Sequence, residues 1–213
     1  IESTFDVTIT GFGTAEIDRL VDAMHQEPDD TAEDVLPVDK RGLPICRPGD
    51  LFTLGDHRLV CGDAGDPEVF EALMGDERAA LVITDPPYNV PIAGHVSGLG
   101  RIKHDEFVMA SGELSPTQFA AKLLAWFINI ALFSNDGAIA FVYMDWRHLV
   151  ETITTGKRAF GSLKNLIVWA KSNAGMGSFY RSQHELVLAF KIGNAPHINN
   201  FELGQHGRHR SNV

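Results

Sequence analysis

Apolar positions along this chain recur with two different periods, and the switches between them mark its elements. "TFDVTITGFG" followed by "TAEIDRLVDAMHQ" reads as a short strand, a glycine turn and an amphipathic helix, with Ile17, Leu20, Val21 and Met24 on one face and Thr14 as N-cap. "EPDDTAEDVLPVDKRGLPICRPGD" then brings prolines and acids without periodicity and reads as an extended linker. "LFTLGDHRLVCGDA" predicts a hairpin turning at Gly55-Asp56, and "DPEVFEALMGD" a helix opened by Asp66 as cap and Pro67 at its first position. Leu81 to Thr84 read as a short buried strand, followed by a long glycine-bearing loop from Asp85 to Glu113. "SPTQFAAKLLAWFINIALFS" is a helix with a Ser115/Gln118 capping box and Pro116 between them. After it come a strand "GAIAFVYMD", a helix "WRHLVETITTG", and strands "LKNLIVWAK" and "HELVLAFKIG" joined by the polar loop "SNAGMGSFYRSQ". This alternation predicts an α/β fold with a mostly parallel sheet, covered on both faces, and an antiparallel hairpin at its edge. Tyr143, Trp146 and Trp169 are expected in the core, and Asp145 either faces the end of the sheet or caps the following helix.

Composition narrows the class. The 213 residues are 44% apolar, enough for one sizeable domain with an appendage. The longest apolar stretch, Phe119 to Phe133, is broken by Lys122 and Asn129 and is too short to span a bilayer, so no membrane partner is expected. Cys46 and Cys61 stand apart from any second Cys at ligand spacing, which suits a reducing cytoplasm and argues against a metal site. The net charge of −10 is unevenly spread: residues 1–80 carry 6 basic and 19 acidic side chains, residues 81–213 carry 12 and 9. The acidity belongs to the front, and the mildly basic remainder is compatible with phosphate contacts.

The word Asp85-Pro86-Pro87-Tyr88-Asn89 ends the Leu81 strand, because neither proline has an N–H for the ladder. Ligands of α/β sheets gather at that end of a strand. An aromatic amine is a poor nucleophile while its lone pair is delocalised into the ring. Two acceptors on its two N–H bonds, the Asp85 carboxylate and the Pro86 carbonyl held outward by the rigid Pro-Pro geometry, favour a more tetrahedral nitrogen. Tyr88 offers a face for a planar base, and Asn89 hydrogen-bonds either the base or its own loop.

These residues resemble the motif of amino-group DNA methyltransferases, which methylate adenine or, more often with Ser in place of Asp, cytosine. "LGDHRLVCGDA", "FVYMDWRHL", "NLIVWAKSNAGMGSFYRSQHELVLAFK" and "GRHRSNV" are similar to successive blocks of the permuted class, and together they cover about residues 50–213. Residues 1–26 resemble the segment that follows a ParB-like domain in phage and bacterial members. The resemblance implies a Rossmann-like sheet that binds S-adenosylmethionine (AdoMet), without metal, and double-stranded DNA as partner. It implies that Asp85 and Pro86 hold the target amine, with Pro87 keeping the geometry rigid, and that Tyr88 stacks on the base. Asp63 and Ala64 would meet the adenine and ribose end of AdoMet, and Asp85 would also touch the cofactor; Asn89 is expected to face DNA, and Arg101, Lys103, His104, Arg181, Arg208 and Arg210 are expected there from their placement, as the cations nearest in sequence to polar loops. A homodimer and a nucleoid-associated, cytoplasmic location are expected on the same ground.

The expected organisation is a strand–helix appendage (1–26), an acidic linker (27–50), a catalytic-motif half (51–194) and the start of a recognition region (195–213). The family's glycine-rich loop, Asp-Pro-Phe-x-Gly-x-Gly, does not occur before Val213, and "ITGFGTAEI" at Ile9 to Ile17 lacks its Asp-Pro lead. The chain is therefore expected to be truncated at its C-terminus and weak or inactive alone. A cytosine amino-methyltransferase, an RNA or protein amine methyltransferase and a non-catalytic DNA-binding remnant stay open as alternatives.

Overall fold

A computed structural model describes residues 46–91, 109–172, 180, 182–199 and 211–213. Apart from Ser211 these form one compact unit, Cys46–Asn199 with Asn212–Val213. The expectations for residues 1–45 and most of the 195–213 segment lie outside the described residues.

The first elements follow local chemistry. β1 (Leu51–Leu54) and β2 (His57–Val60) form a separate antiparallel hairpin that turns at Gly55-Asp56, where Gly55 takes φ +63°. α1 (Pro67–Met74) starts as predicted, the Asp66 side chain accepting from the Glu68 N–H and Pro67 filling a position whose N–H would have no partner. α2 (Pro116–Leu132) carries the full capping box between Ser115 and Gln118.

β3 (Ala79–Thr84), β4 (Ser134–Met144), β5 (Gly161–Ala170) and β6 (His184–Ile192) make a sheet in the order β3-β4-β6-β5. β3 and β4 run parallel with Thr84 opposite Val142, while β6 runs antiparallel to both β4 and β5. The α/β class and the edge hairpin agree with the sequence pattern. Among the described strands two of the three pairings, β4 with β6 and β5 with β6, are antiparallel, so this part of the sheet is mixed. After β4, a 3-10 turn at Trp146–His148 leads into α3 (Leu149–Ala159).

One face of the sheet holds the core. Alternate residues of β4 (Ala138, Ala140, Val142, Met144) and of β6 (Leu188, Phe190, Ile192) pack against Phe119, Leu123 and Phe127 of α2 and against Phe160. Each large side chain buried here contributes on the order of 2 kcal/mol. Gly156 of α3 lies directly against the Phe190 ring, which leaves no room for a Cβ.

The opposite face, where the sequence pattern predicted a second covering layer, has none among the described residues. Leu81 and Ile83 of β3 are exposed, the latter 67%, and Ile83, Phe141, Tyr143, Ile167, Trp169 and Val187 line an open apolar concavity. Trp169 is 57% and Trp146 53% exposed, so the expected core placement of these two is corrected. An apolar residue is buried only if a second layer covers it, and among the described residues α2 and α3 lie on one side alone.

Candidate functional site

The Asp85 word stands at the carboxyl end of β3, beside the matching end of β4. Asp85 is exposed, Pro86, Pro87 and Tyr88 are half-buried, and Asn89 is buried. Tyr88 packs against the core and its hydroxyl donates to Asp85 Oδ1 at 2.5 Å. Burial pushes its phenol far above the usual range, and the bond to Asp85 and the charges of Asp85, Glu185 and Asp145 push the same way. Tyr88 thus holds one oxygen of the carboxylate expected to receive the amine, and Oδ2 has no partner among the described residues.

Asn89 organises the return of the long loop. Its Nδ2 donates to the Leu114 carbonyl at 2.9 Å, and its Oδ1 accepts from the N–H groups of Gly112 at 3.1 Å and Leu114 at 3.2 Å. Its φ of +54° is one that Asn tolerates better than most side chains. Of the two roles read from the sequence, the loop role is filled, with both polar atoms of the Asn89 side chain engaged there. Glu113 completes the turn by accepting from the N–H groups of Ala110 and Ser111, both at 2.6 Å. Backbone hydrogen bonds, including one to its own N–H, hold its carboxyl below the usual range.

Asp63 and Ala64 are exposed on the turn before α1. Asp63 Oδ1 accepts from the Gly65 N–H at 2.7 Å and faces the Trp126 indole nitrogen at 3.4 Å, while the Ala64 carbonyl accepts from Asn129 Nδ2 at 2.9 Å. Trp126 and Asn129 were read only as helix core. The signal that could have found them is Asn129 itself, a buried amide inside an apolar helix, which needs a hydrogen-bonding partner.

Asp145 takes the capping role. Its carboxylate caps the 3-10 turn through the Arg147 N–H at 2.9 Å and pairs with Arg147 Nη1, while its charge reaches Tyr88. Arg101, Lys103, His104, Arg181, Arg208 and Arg210 lie outside the described residues.

Residues 79–210 match the profile of the family described as DNA methylase, which is more than half of the chain. The chain belongs to the DNA methylase family. Residues 1–48 of the methylase match the ParB-methyltransferase HTH domain, so its front end has the expected affiliation. Among solved structures it is similar to M1.HpyAVI at 19% identity and a TM-score of 0.37, covering 55% of this chain and 46% of that one. It is also similar to TTHA0409 of Thermus thermophilus, described as a putative DNA modification methylase and solved with S-adenosyl-L-methionine, at 16% identity and a TM-score of 0.39, covering 66% of this chain and 55% of that one. The methylase spans about half the length of these structures. No curated protein matches it.

Proposed function

We propose that this methylase transfers a methyl group from AdoMet to the exocyclic amine of an adenine extruded from double-stranded DNA. The observation that carries the reading is the exposed Asp85 carboxylate at the carboxyl end of β3, with one oxygen held by Tyr88 and the other free among the described residues. Oδ2 accepts one amine N–H directly, and the Pro86 carbonyl accepts the other, so electron density returns to the nitrogen. Tyr88 forms one wall of the base pocket, with Pro87 rigid between it and Pro86.

The residues near α1 fit the adenosine end of AdoMet: Asp63 is exposed, one oxygen is fixed by Gly65, and the other has no partner among the described residues, as a carboxylate receiving hydroxyl or amine donors requires. When bound, AdoMet supplies a methyl group on a sulfonium, the electrophile for the held amine. Asp63, Ala64 and Asp85 would hold it, and their positions set how the amine and the methyl meet. Asp rather than Ser at position 85 favours adenine over cytosine. The domain division is part of the same proposal, with residues 51–194 as the catalytic-motif half, residues 195–213 as the start of DNA recognition, and residues 1–26 with the acidic linker 27–50 as the connection to a ParB-like domain.

The test uses the protein expressed from its complete reading frame, incubated with duplex DNA and AdoMet, with the methylated nucleosides separated by mass. N6-methyladenine that disappears in Asp85→Ala supports the proposal. N4-methylcytosine transfers the same mechanism to cytosine, and DNA left unmethylated while AdoMet is bound refutes it.

A further inference from the structure

Beyond the carboxyl end of β4 stands an aromatic side chain that neither the core nor the Asp85 word uses. Trp146 follows directly on β4, the parallel neighbour of β3, and is 53% exposed. Thr84 pairs with Val142 across these parallel strands, so the turn that starts at Asp145 leaves the sheet at the same rim as the Asp85 word. Trp146 is absent from the core cluster, whereas the other exposed indole, Trp169, lies edge-on to Tyr143 within the open apolar face.

Arg147 determines what the indole can receive. Its guanidinium lies over the Trp146 ring, 4.7 Å from the centroid, so one face of the indole is covered and the rest stands in solvent. Only Nη1 is engaged by Asp145, at 3.0 Å and 2.9 Å, which leaves Nη2 and Nε without partners among the described residues. The other acid on this rim, Glu185, is paired with Lys171. Asp145 and Glu185 are each ion-paired, with Arg147 and with Lys171, so a phosphate approaching Arg147 meets neither of them as an unpaired carboxylate.

We propose that Trp146 and Arg147 form a further DNA contact next to the target-amine site, the indole stacking on a base of the substrate and the spare guanidinium nitrogens meeting the adjacent phosphate. The inference rests on the DNA reading above. A Trp–Arg pair is a chemically complete contact of this kind: every base has a face to stack on, and the guanidinium adds charge behind the ring. The turn is preset, since the Asp145 cap fixes the backbone and its ion pair fixes the arginine over the ring.

The experiment measures binding of a fluorescently labelled duplex to the protein from its complete reading frame, with AdoMet present, across a series of salt concentrations. Trp146→Ala is expected to weaken binding roughly 5- to 150-fold, the effect of one lost base–aromatic stack, with an unchanged melting temperature. Trp146→Phe retains most of the affinity but loses the DNA-dependent quenching of tryptophan fluorescence. Arg147→Gln lowers the slope of log affinity against log salt by about 1. If the parent binds the duplex and Trp146→Ala binds equally well, the contact is refuted while the DNA reading stands. If the parent itself does not bind, both fall together.

Discussion

Replacing Asn89 by alanine isolates what keeps the Asp85 word in place. The substitution removes three hydrogen bonds, from Nδ2 to the Leu114 carbonyl and from the Gly112 and Leu114 N–H groups to Oδ1. At about 0.7 kcal/mol net for each, the lower part of the usual range because water reaches the exposed side of the turn, the loss is about 2 kcal/mol. The backbone adds a further cost, because φ is +54° and alanine is about 1 kcal/mol worse than asparagine there. The expected destabilisation is therefore about 3 kcal/mol. In urea, read by tryptophan fluorescence, that lowers the midpoint by roughly 1.5 M at an unchanged m-value of about 2 kcal/mol/M. Asn89→Gly loses the bonds without the conformational cost and falls about 1 kcal/mol short of the alanine effect, while Asn89→Asp keeps the two accepted bonds and sets a carboxylate against the Leu114 carbonyl. A loss below about 1 kcal/mol in Asn89→Ala, with m unchanged, would show that the loop is held by something other than this amide.

Three further outcomes are expected. Tyr88 has its folded pKa raised above the usual 10.0, so its contribution to stability is fully present below about pH 10 and lost as pH rises further; an ultraviolet titration should show one late phenol among the three tyrosines, and Tyr88→Phe should remove it. Asp136 has its pKa lowered from the usual 3.8 by the N–H groups of Ala195 and then Asn194, so its contribution is present above that value and lost as pH falls below it; Asp136→Asn should flatten the acid limb of the stability curve below about pH 4, and an unchanged limb would count against these bonds. Gly156→Ala should destabilise by about 1–2 kcal/mol in thermal unfolding, because the clash with the Phe190 ring outweighs the gain of about 1 kcal/mol in helix propensity; a more stable variant would mean that the ring has room to move.

What could be read in the sequence is what local chemistry decides. The Gly55-Asp56 turn, the Asp66 cap and the Ser115/Gln118 box each depend on residues a few positions apart, and all form as expected. The position of Asp85 at a strand end followed from two prolines that cannot extend a ladder. Partners distant in the chain were not legible in the same way. Nothing near Trp146 or Trp169 says whether a second layer will cover them, and the pattern of β3 reads equally well with either face buried. Asn89 had two chemically adequate partners, and only the return of residues 112–114 distinguishes them. Asn129 carried a usable signal, since a buried amide must find an acceptor, but its acceptor lies 65 residues earlier.

α2 touches the site twice: Leu114, just before its cap, is held by Asn89, and near its other end Trp126 and Asn129 hold the turn of Asp63 and Ala64. A helix changes length only in whole residues, and each inserted residue turns everything beyond it by about 100° and moves it about 1.5 Å. One added residue between Ser115 and Trp126 would swing both anchors off the Asp63 turn while leaving the capping box intact. Relatives of this chain that keep both anchors should therefore scarcely vary in length within α2. The spacing between the two anchored loops becomes a heritable integer, countable in any new member of the family before its structure is known.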